Sequence, residues 1–122
     1  MILLNDFYTI QQNTSSPGVV KATIAINKEH RILEGHFPGL PVVPGVCMLQ
    51  IVREIMEVSS KKQLKITAAD NMKFLSVINP EQNTEVEVAI SYTEDAGKFL
   101  INATLFAATV TFFKIKATLQ TT

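Results

Sequence analysis

The chain has 122 residues, 47% of them apolar and 18% charged, with eleven Lys and Arg against eleven Asp and Glu. That length suits a single domain over 1–122 built around one continuous core, and it excludes two independent catalytic units. Zero formal charge argues against a nucleic-acid binder working through a basic surface. The uncharged run 99–113 contains Asn102 and three threonines, so it falls short of a membrane-spanning helix.

The opening Met-Ile-Leu-Leu-Asn-Asp has no basic stretch followed by a long apolar one, and a cytoplasmic protein is expected. Cys47 is the single cysteine and cannot close an internal disulfide. Two histidines and one cysteine give no zinc-binding spacing, so neither a metal nor another cofactor is expected.

In chain order, Val20, Ala22, Ile24 and Ile26 alternate with Lys21, Thr23 and Ala25, which predicts a strand with one wet face. A helix is predicted from about Pro44, whose fixed φ suits a first helical position, to about Val58. Its first half, Val46 to Leu49 with Ile51 and Val52, is apolar nearly all round and must be buried. The stretch 66–75 follows as a strand, with Asp70 on its apolar side marking a bulge and Asn79-Pro80 a turn after it.

Val86, Val88, Ile90 and Tyr92 lead into Glu94-Asp95-Ala96-Gly97, then Phe99, Ile101, Ala103 and Leu105, and finally Phe113, Ile115, Ala117 and Leu119. Each set repeats with a period of two, so the three strands form a meander. The layout expected is α+β: a curved antiparallel sheet of five or six strands wrapped around one long helix. Such a sheet leaves edge strands, and pairing them across a two-fold axis is a common remedy.

Between the first long strand and the helix, three prolines and three glycines fall within 35–45, a density that restricts the backbone to a defined path. A rigid loop ending at a helix N-terminus is suited to hold a histidine, here His36, beside unpaired N–H donors and the positive end of the helix dipole. Gly45 suits close approach of a carbonyl oxygen to its N–H, because no side chain stands in the way.

With His36-Phe37-Pro38-Gly39, then Pro41, then Pro44-Gly45-Val46 and a helix directly after, the chain resembles the β-hydroxyacyl-acyl-carrier-protein dehydratases of the hotdog fold. A looser likeness extends through Met72-Lys73-Phe74 and Val77-Ile78-Asn79-Pro80. The resemblance implies a lyase that eliminates water from a 3-hydroxyacyl thioester, carried by acyl carrier protein or coenzyme A, in fatty-acid or related polyene and polyketide synthesis. It also implies edge-to-edge dimers with active sites at the dimer interface. His36 would take the C2 proton, the Gly45 N–H would hold the thioester oxygen, and Phe37 and Val46 would line the substrate. Histidine near its ordinary pKa is a suitable base at neutral pH, worth roughly 10²–10⁴-fold in rate.

One position departs from the family pattern. Fourteen residues after the histidine, where the family places a Glu or Asp that helps protonate the departing hydroxyl, this chain has Gln50. A glutamine orients a hydroxyl but has no proton to transfer near neutral pH. Glu54 follows one turn later, about 5–6 Å farther along the axis, too far to substitute without a shift.

Three readings stay open: a slower dehydratase in which His36 serves as base and acid, a heterodimer whose other hotdog chain brings the carboxylate, and a hotdog subunit without lyase activity. An acyl-thioesterase with Glu54 activating water is the alternative chemistry. His30, beside Glu29 and Arg31, reads as a solvated loop residue, and Cys47 as a small core residue. Arg31, Lys61, Lys62, Lys65 and Lys73 are surface cations, available for a weak contact with an acidic carrier.

Overall fold

The structure is a computed structural model that describes residues 2–34 and 42–122. Six strands, β1 (Tyr8–Ser16), β2 (Val19–Ile26), β3 (Leu64–Phe74), β4 (Glu85–Asp95), β5 (Lys98–Ala107) and β6 (Val110–Thr121), form one antiparallel sheet in the order β1-β2-β4-β5-β6-β3. A single α-helix, α1 (Gly45–Ser60), lies against one face of this sheet, and β1 and β3 are its edges. This is the hotdog layout that the sequence leads one to expect.

The apolar halves of the alternating patterns all turn toward the helix. Val20, Ala22, Ile24 and Ile26 of β2, Val86, Val88 and Ile90 of β4, Phe99, Ile101 and Leu105 of β5, and Phe113, Ile115 and Leu119 of β6 are buried. From α1 they receive Ile51 and Ile55, each with no exposed surface, and burial of a side chain of that size contributes about 1.5–3 kcal/mol. Between β4 and β5, Ala96 and Gly97 both have positive φ, the backbone of a tight hairpin.

Three expectations need correction. β1, Tyr-Thr-Ile-Gln-Gln-Asn-Thr-Ser-Ser, carries almost no apolar alternation because it is a mostly exposed edge, and periodicity passes over it. Pro44 is the cap that precedes α1 rather than its first residue, with ψ at 148°, and the helix runs on to Ser60, where Lys61 closes it in a left-handed conformation. β3 does shift register around Asp70, and it shifts again near Thr67. With two shifts its sides no longer follow a simple alternation, and Met72 and Phe74 are exposed.

Candidate active site

The site region is the N-terminal turn of α1. Val43 N–H donates to the Ile78 carbonyl at 2.9 Å, which pins the chain entering the helix to the segment between β3 and β4. Pro44 offers no side-chain cap, and its carbonyl accepts from Cys47 and Met48 N–H at 3.0 and 3.3 Å. The N–H groups of Gly45 and Val46 therefore precede the helical ladder, and among the described residues no acceptor is bonded to either. Two such donors at the positive end of a helix favour an oxygen that gains negative charge.

Gly45 is a glycine for a packing reason as well. A Cβ there would lie 2.7 Å from Cε1 of Phe74, so the aromatic ring at the end of β3 rests directly on the Gly45 backbone. Phe74 and Gly45, with Val43, Met48, Leu75 and Val77, line an apolar concavity of about 360 Å³ open at the surface. Val46, 64% exposed, stands beside it, and Phe74, Leu75 and Val77 are each more than half exposed. A cluster of large apolar side chains left in water marks a surface that receives another molecule.

Farther along α1 the polar groups are tied inward. Glu54 is 4% exposed and is the one buried charged residue among those described. Its carboxylate accepts from Leu3 N–H and Leu4 N–H, both at 2.8 Å, from the Tyr8 hydroxyl at 3.0 Å and from Gln50 Nε2 at 2.6 Å. Four donors satisfy a charge that would otherwise be costly to bury. Burial, reinforced by the adjacent carboxylate, pushes the Tyr8 hydroxyl well above its ordinary pKa and keeps it a donor.

Gln50 is thus oriented by its own chain, with its Oε1 also accepting from Arg53 Nε at 3.4 Å. Arg53 and Glu57 continue the pattern: Arg53 Nη1 donates to the Leu64 carbonyl at 3.0 Å, and Glu57 accepts from Leu64 N–H at 2.9 Å. Both contacts fasten the helix to the start of β3.

Of the residues singled out from the sequence, Gly45 and Val46 sit together at the helix end, and Gln50 lies five residues on, roughly 7.5 Å along the axis. His36 and Phe37 lie outside the described residues. Glu54, considered above as an activator of water, has both carboxylate oxygens engaged by the N-terminal segment and Gln50, so it serves as an internal clamp. Its signal in the sequence was a carboxylate one turn after Gln50, flanked by the apolar Ile51, Val52 and Ile55.

Burial pushes the Cys47 thiol up, away from the thiolate form a nucleophile requires. His30 is no solvated residue. Its Nδ1 accepts from Ile32 N–H at 3.1 Å and caps a short 3₁₀ turn, Arg31–Leu33, while Nε2 contacts Asp6 Oδ2 at 2.9 Å and the ring packs edge-on to Phe7. Among the described residues no group of His, Cys, Asp and Glu could hold a metal ion, and no helix is long and apolar enough to cross a membrane.

A model of the ApeI dehydratases matches residues 10–111, which takes in β2, the loop, α1 and the meander up to the start of β6. The chain belongs to the ApeI-like dehydratase family. Relatives include 3-hydroxyacyl-[acyl-carrier-protein] dehydratase FabZ of Rickettsia massiliae, 25% identical over 90% of this chain and 74% of its own length. The same enzyme of Rickettsia bellii is 26% identical over 73% of this chain and 64% of its own length. The second match therefore spans just under two thirds of that relative.

In fold, the chain is similar to the dehydratase heterocomplex ApeI:P from Xenorhabdus doucetiae, with a TM-score of 0.74 at 16% identity over 91% of this chain and 96% of the other. Cj0977, a sigma28-regulated virulence protein from Campylobacter jejuni, gives a TM-score of 0.66 at 9% identity over 91% and 82%. Family membership makes a hydroxyacyl dehydratase-like function the frame for this site.

Proposed function

We propose that the chain is a subunit of a 3-hydroxyacyl thioester dehydratase acting on substrates carried by acyl carrier protein or coenzyme A. The observation that carries this is the open helix N-terminus: N–H groups at Gly45 and Val46 with no bonded acceptor among the described residues, beside an apolar concavity and a few positions after His36 in the sequence. The thioester oxygen accepts from Gly45 N–H. His36 removes a C2 proton, the electron pair forms the C2–C3 double bond, and the C3–O bond breaks. The departing hydroxyl takes a proton and leaves as water; when the imidazolium of His36 supplies that proton, the histidine is restored and the step balances. The acyl chain lies along Phe37 and Val46.

Gln50 then orients the departing hydroxyl rather than protonating it, because an amide held on the Glu54 carboxylate has no acidic proton to give. That same contact supports assembly with a second, different hotdog chain, whose carboxylate would fill the acid role. The uncovered Val46, Phe74, Leu75 and Val77 and the unpaired edge of β3 suit such a dimer interface. The neighbour from Xenorhabdus doucetiae is described as a heterocomplex, which fits this reading.

The test is purified chain, alone and mixed with a dehydratase-like chain encoded beside it, given 3-hydroxyacyl carrier-protein thioester while enoyl absorbance is followed. Turnover in either case upholds the proposal. Binding of substrate without turnover under both conditions contradicts it.

A further inference from the structure

Phe74, at the end of β3, is 55% exposed, yet three contacts fix where it stands. Its ring lies against that of Phe113, the opposite residue on β6, with centroids 5.0 Å apart and planes at 32°, and Phe113 has no exposed surface. Directly after it, the N–H groups of Leu75 and Ser76 both donate to the Phe112 carbonyl, at 2.8 and 3.2 Å, so the backbone is held. The third neighbour is Gly45, where a Cβ would lie 2.7 Å from Cε1 and 2.9 Å from Cζ of the ring. Turning the ring away would put into water an apolar surface that now touches Phe113 and Gly45.

The ring thus occupies the place that a side chain at residue 45 would take, and β3 supplies the wall beside the first N–H of α1. In an α-helix the Cα–Cβ direction leans toward the N-terminus, the same end to which the first N–H groups point. An oxygen accepting from Gly45 N–H at about 2.9 Å carries its carbonyl carbon and the adjoining C2 within about 5 Å of that nitrogen. The ring edge, 2.7 Å from the Cβ position, falls within about the same radius and on the same side. Substrate C2 and the ring edge therefore meet in one corner of the apolar concavity.

We infer that Phe74 sets the limit on what the substrate carries at C2: the ring leaves room for a CH2 group and shuts out a 2-methyl branch, so the preferred substrates are 3-hydroxyacyl thioesters unbranched at that carbon. This limit rests on the dehydratase reading and narrows its substrate class. The chemistry itself does not impose it. A 2-methyl thioester still has one C2 proton to lose, its C2–C3 double bond forms in the same way, and water leaves from C3. What it lacks here is space. One methyl group more or less in a fitted apolar pocket is worth about 10–200-fold in kcat/KM, and a wall held by Phe113 and the Phe112 carbonyl yields little to it.

The experiment compares kcat/KM for the N-acetylcysteamine thioesters of 3-hydroxybutyrate and of 2-methyl-3-hydroxybutyrate, each C2 epimer separately. It uses the full chain, together with its natural partner chain if it has one, and the variants Phe74→Tyr, Phe74→Leu and Phe74→Ala, each checked for its fold by circular dichroism and melting. The parent should favour the unbranched substrate by about tenfold or more. Phe74→Tyr should keep that ratio, Phe74→Leu should reduce it, and Phe74→Ala should bring it close to one. A ring that served the fold alone would lower both rates together and leave the ratio where it was. Should Phe74→Ala fail to fold, Phe74→Leu carries the test.

Equal turnover of branched and unbranched substrates by the parent, or an unchanged ratio in a folded Phe74→Leu or Phe74→Ala, would overturn the limit. The dehydratase reading falls separately, if the parent turns over neither thioester. Binding of the same two thioesters, followed by the amide resonance of Gly45, then decides the role of the ring. Tighter binding of the unbranched one that Phe74→Ala abolishes upholds it, and equal binding overturns it.

Discussion

The two halves of α1 are held in opposite ways. From Gln50 onward, Glu54, Arg53 and Glu57 tie the helix to the N-terminal segment and to the start of β3 through five hydrogen bonds. The first turn instead presents N–H groups with no bonded acceptor among the described residues, an exposed Val46 and an apolar hollow. A dehydratase needs both conditions: a fixed helix so that the donors do not move, and an open end so that substrate and partner can reach them. The lesson is that the buried carboxylate, which looks like a catalytic group in the sequence, belongs to the anchored half.

The largest expected effect breaks the anchored half. Glu54→Ala strands the buried N–H groups of Leu3 and Leu4 and the Tyr8 hydroxyl, and should lower the unfolding free energy by on the order of 3 kcal/mol or more, read by urea denaturation. Next, Gln50→Glu sets a second carboxyl against the Glu54 oxygen that now accepts from the amide at 2.6 Å. Two carboxyl groups so close hold a proton between them, so the new side chain stays protonated above its ordinary range and becomes an acid. Dehydration at neutral pH should rise, by tenfold or more given the roughly 10²–10⁴-fold worth of acid–base help.

The sign of the accompanying stability change follows from that raised pKa. Relative to the parent, the variant is least affected at low pH, where the carboxyl is protonated in folded and unfolded chains alike, and it loses stability as pH rises and the unfolded form ionises. A denaturation series across pH 5 to 8 would show this slope. The smallest change tests the open half: Val46→Asp, at an exposed position, should alter the stability of the isolated chain by no more than about 0.5 kcal/mol while abolishing assembly seen by sedimentation.

How far the sequence could be read follows the same division. The buried faces of β2, β4, β5 and β6 were legible, because a half-buried strand must alternate and the one shift in register among them, at Leu105/Phe106, falls near the β5–β6 hairpin end. β1 was not, since an exposed edge is under no pressure to alternate, and the sides of β3 were scrambled by its two shifts in register. Gly45, Val46 and the opening of the helix were legible through proline and glycine. The partners of Glu54 were not, because Leu3, Leu4 and Tyr8 lie 46 to 51 residues away and donate mainly through backbone N–H groups that every residue carries. His30 misled in the same way, its ring being tied to Asp6 and Phe7 across 24 and 23 positions.

The proposed dehydratase site at the open end of α1 depends on His36 as its base. The most direct measurement is the rate of enoyl formation from a 3-hydroxyacyl carrier-protein thioester by the assembled protein and by its His36→Ala variant, side by side at neutral pH. The account predicts turnover in the first and a loss of at least about 100-fold in the second, the scale of general-base help, with assembly and melting temperature unchanged. Full activity in His36→Ala would contradict it.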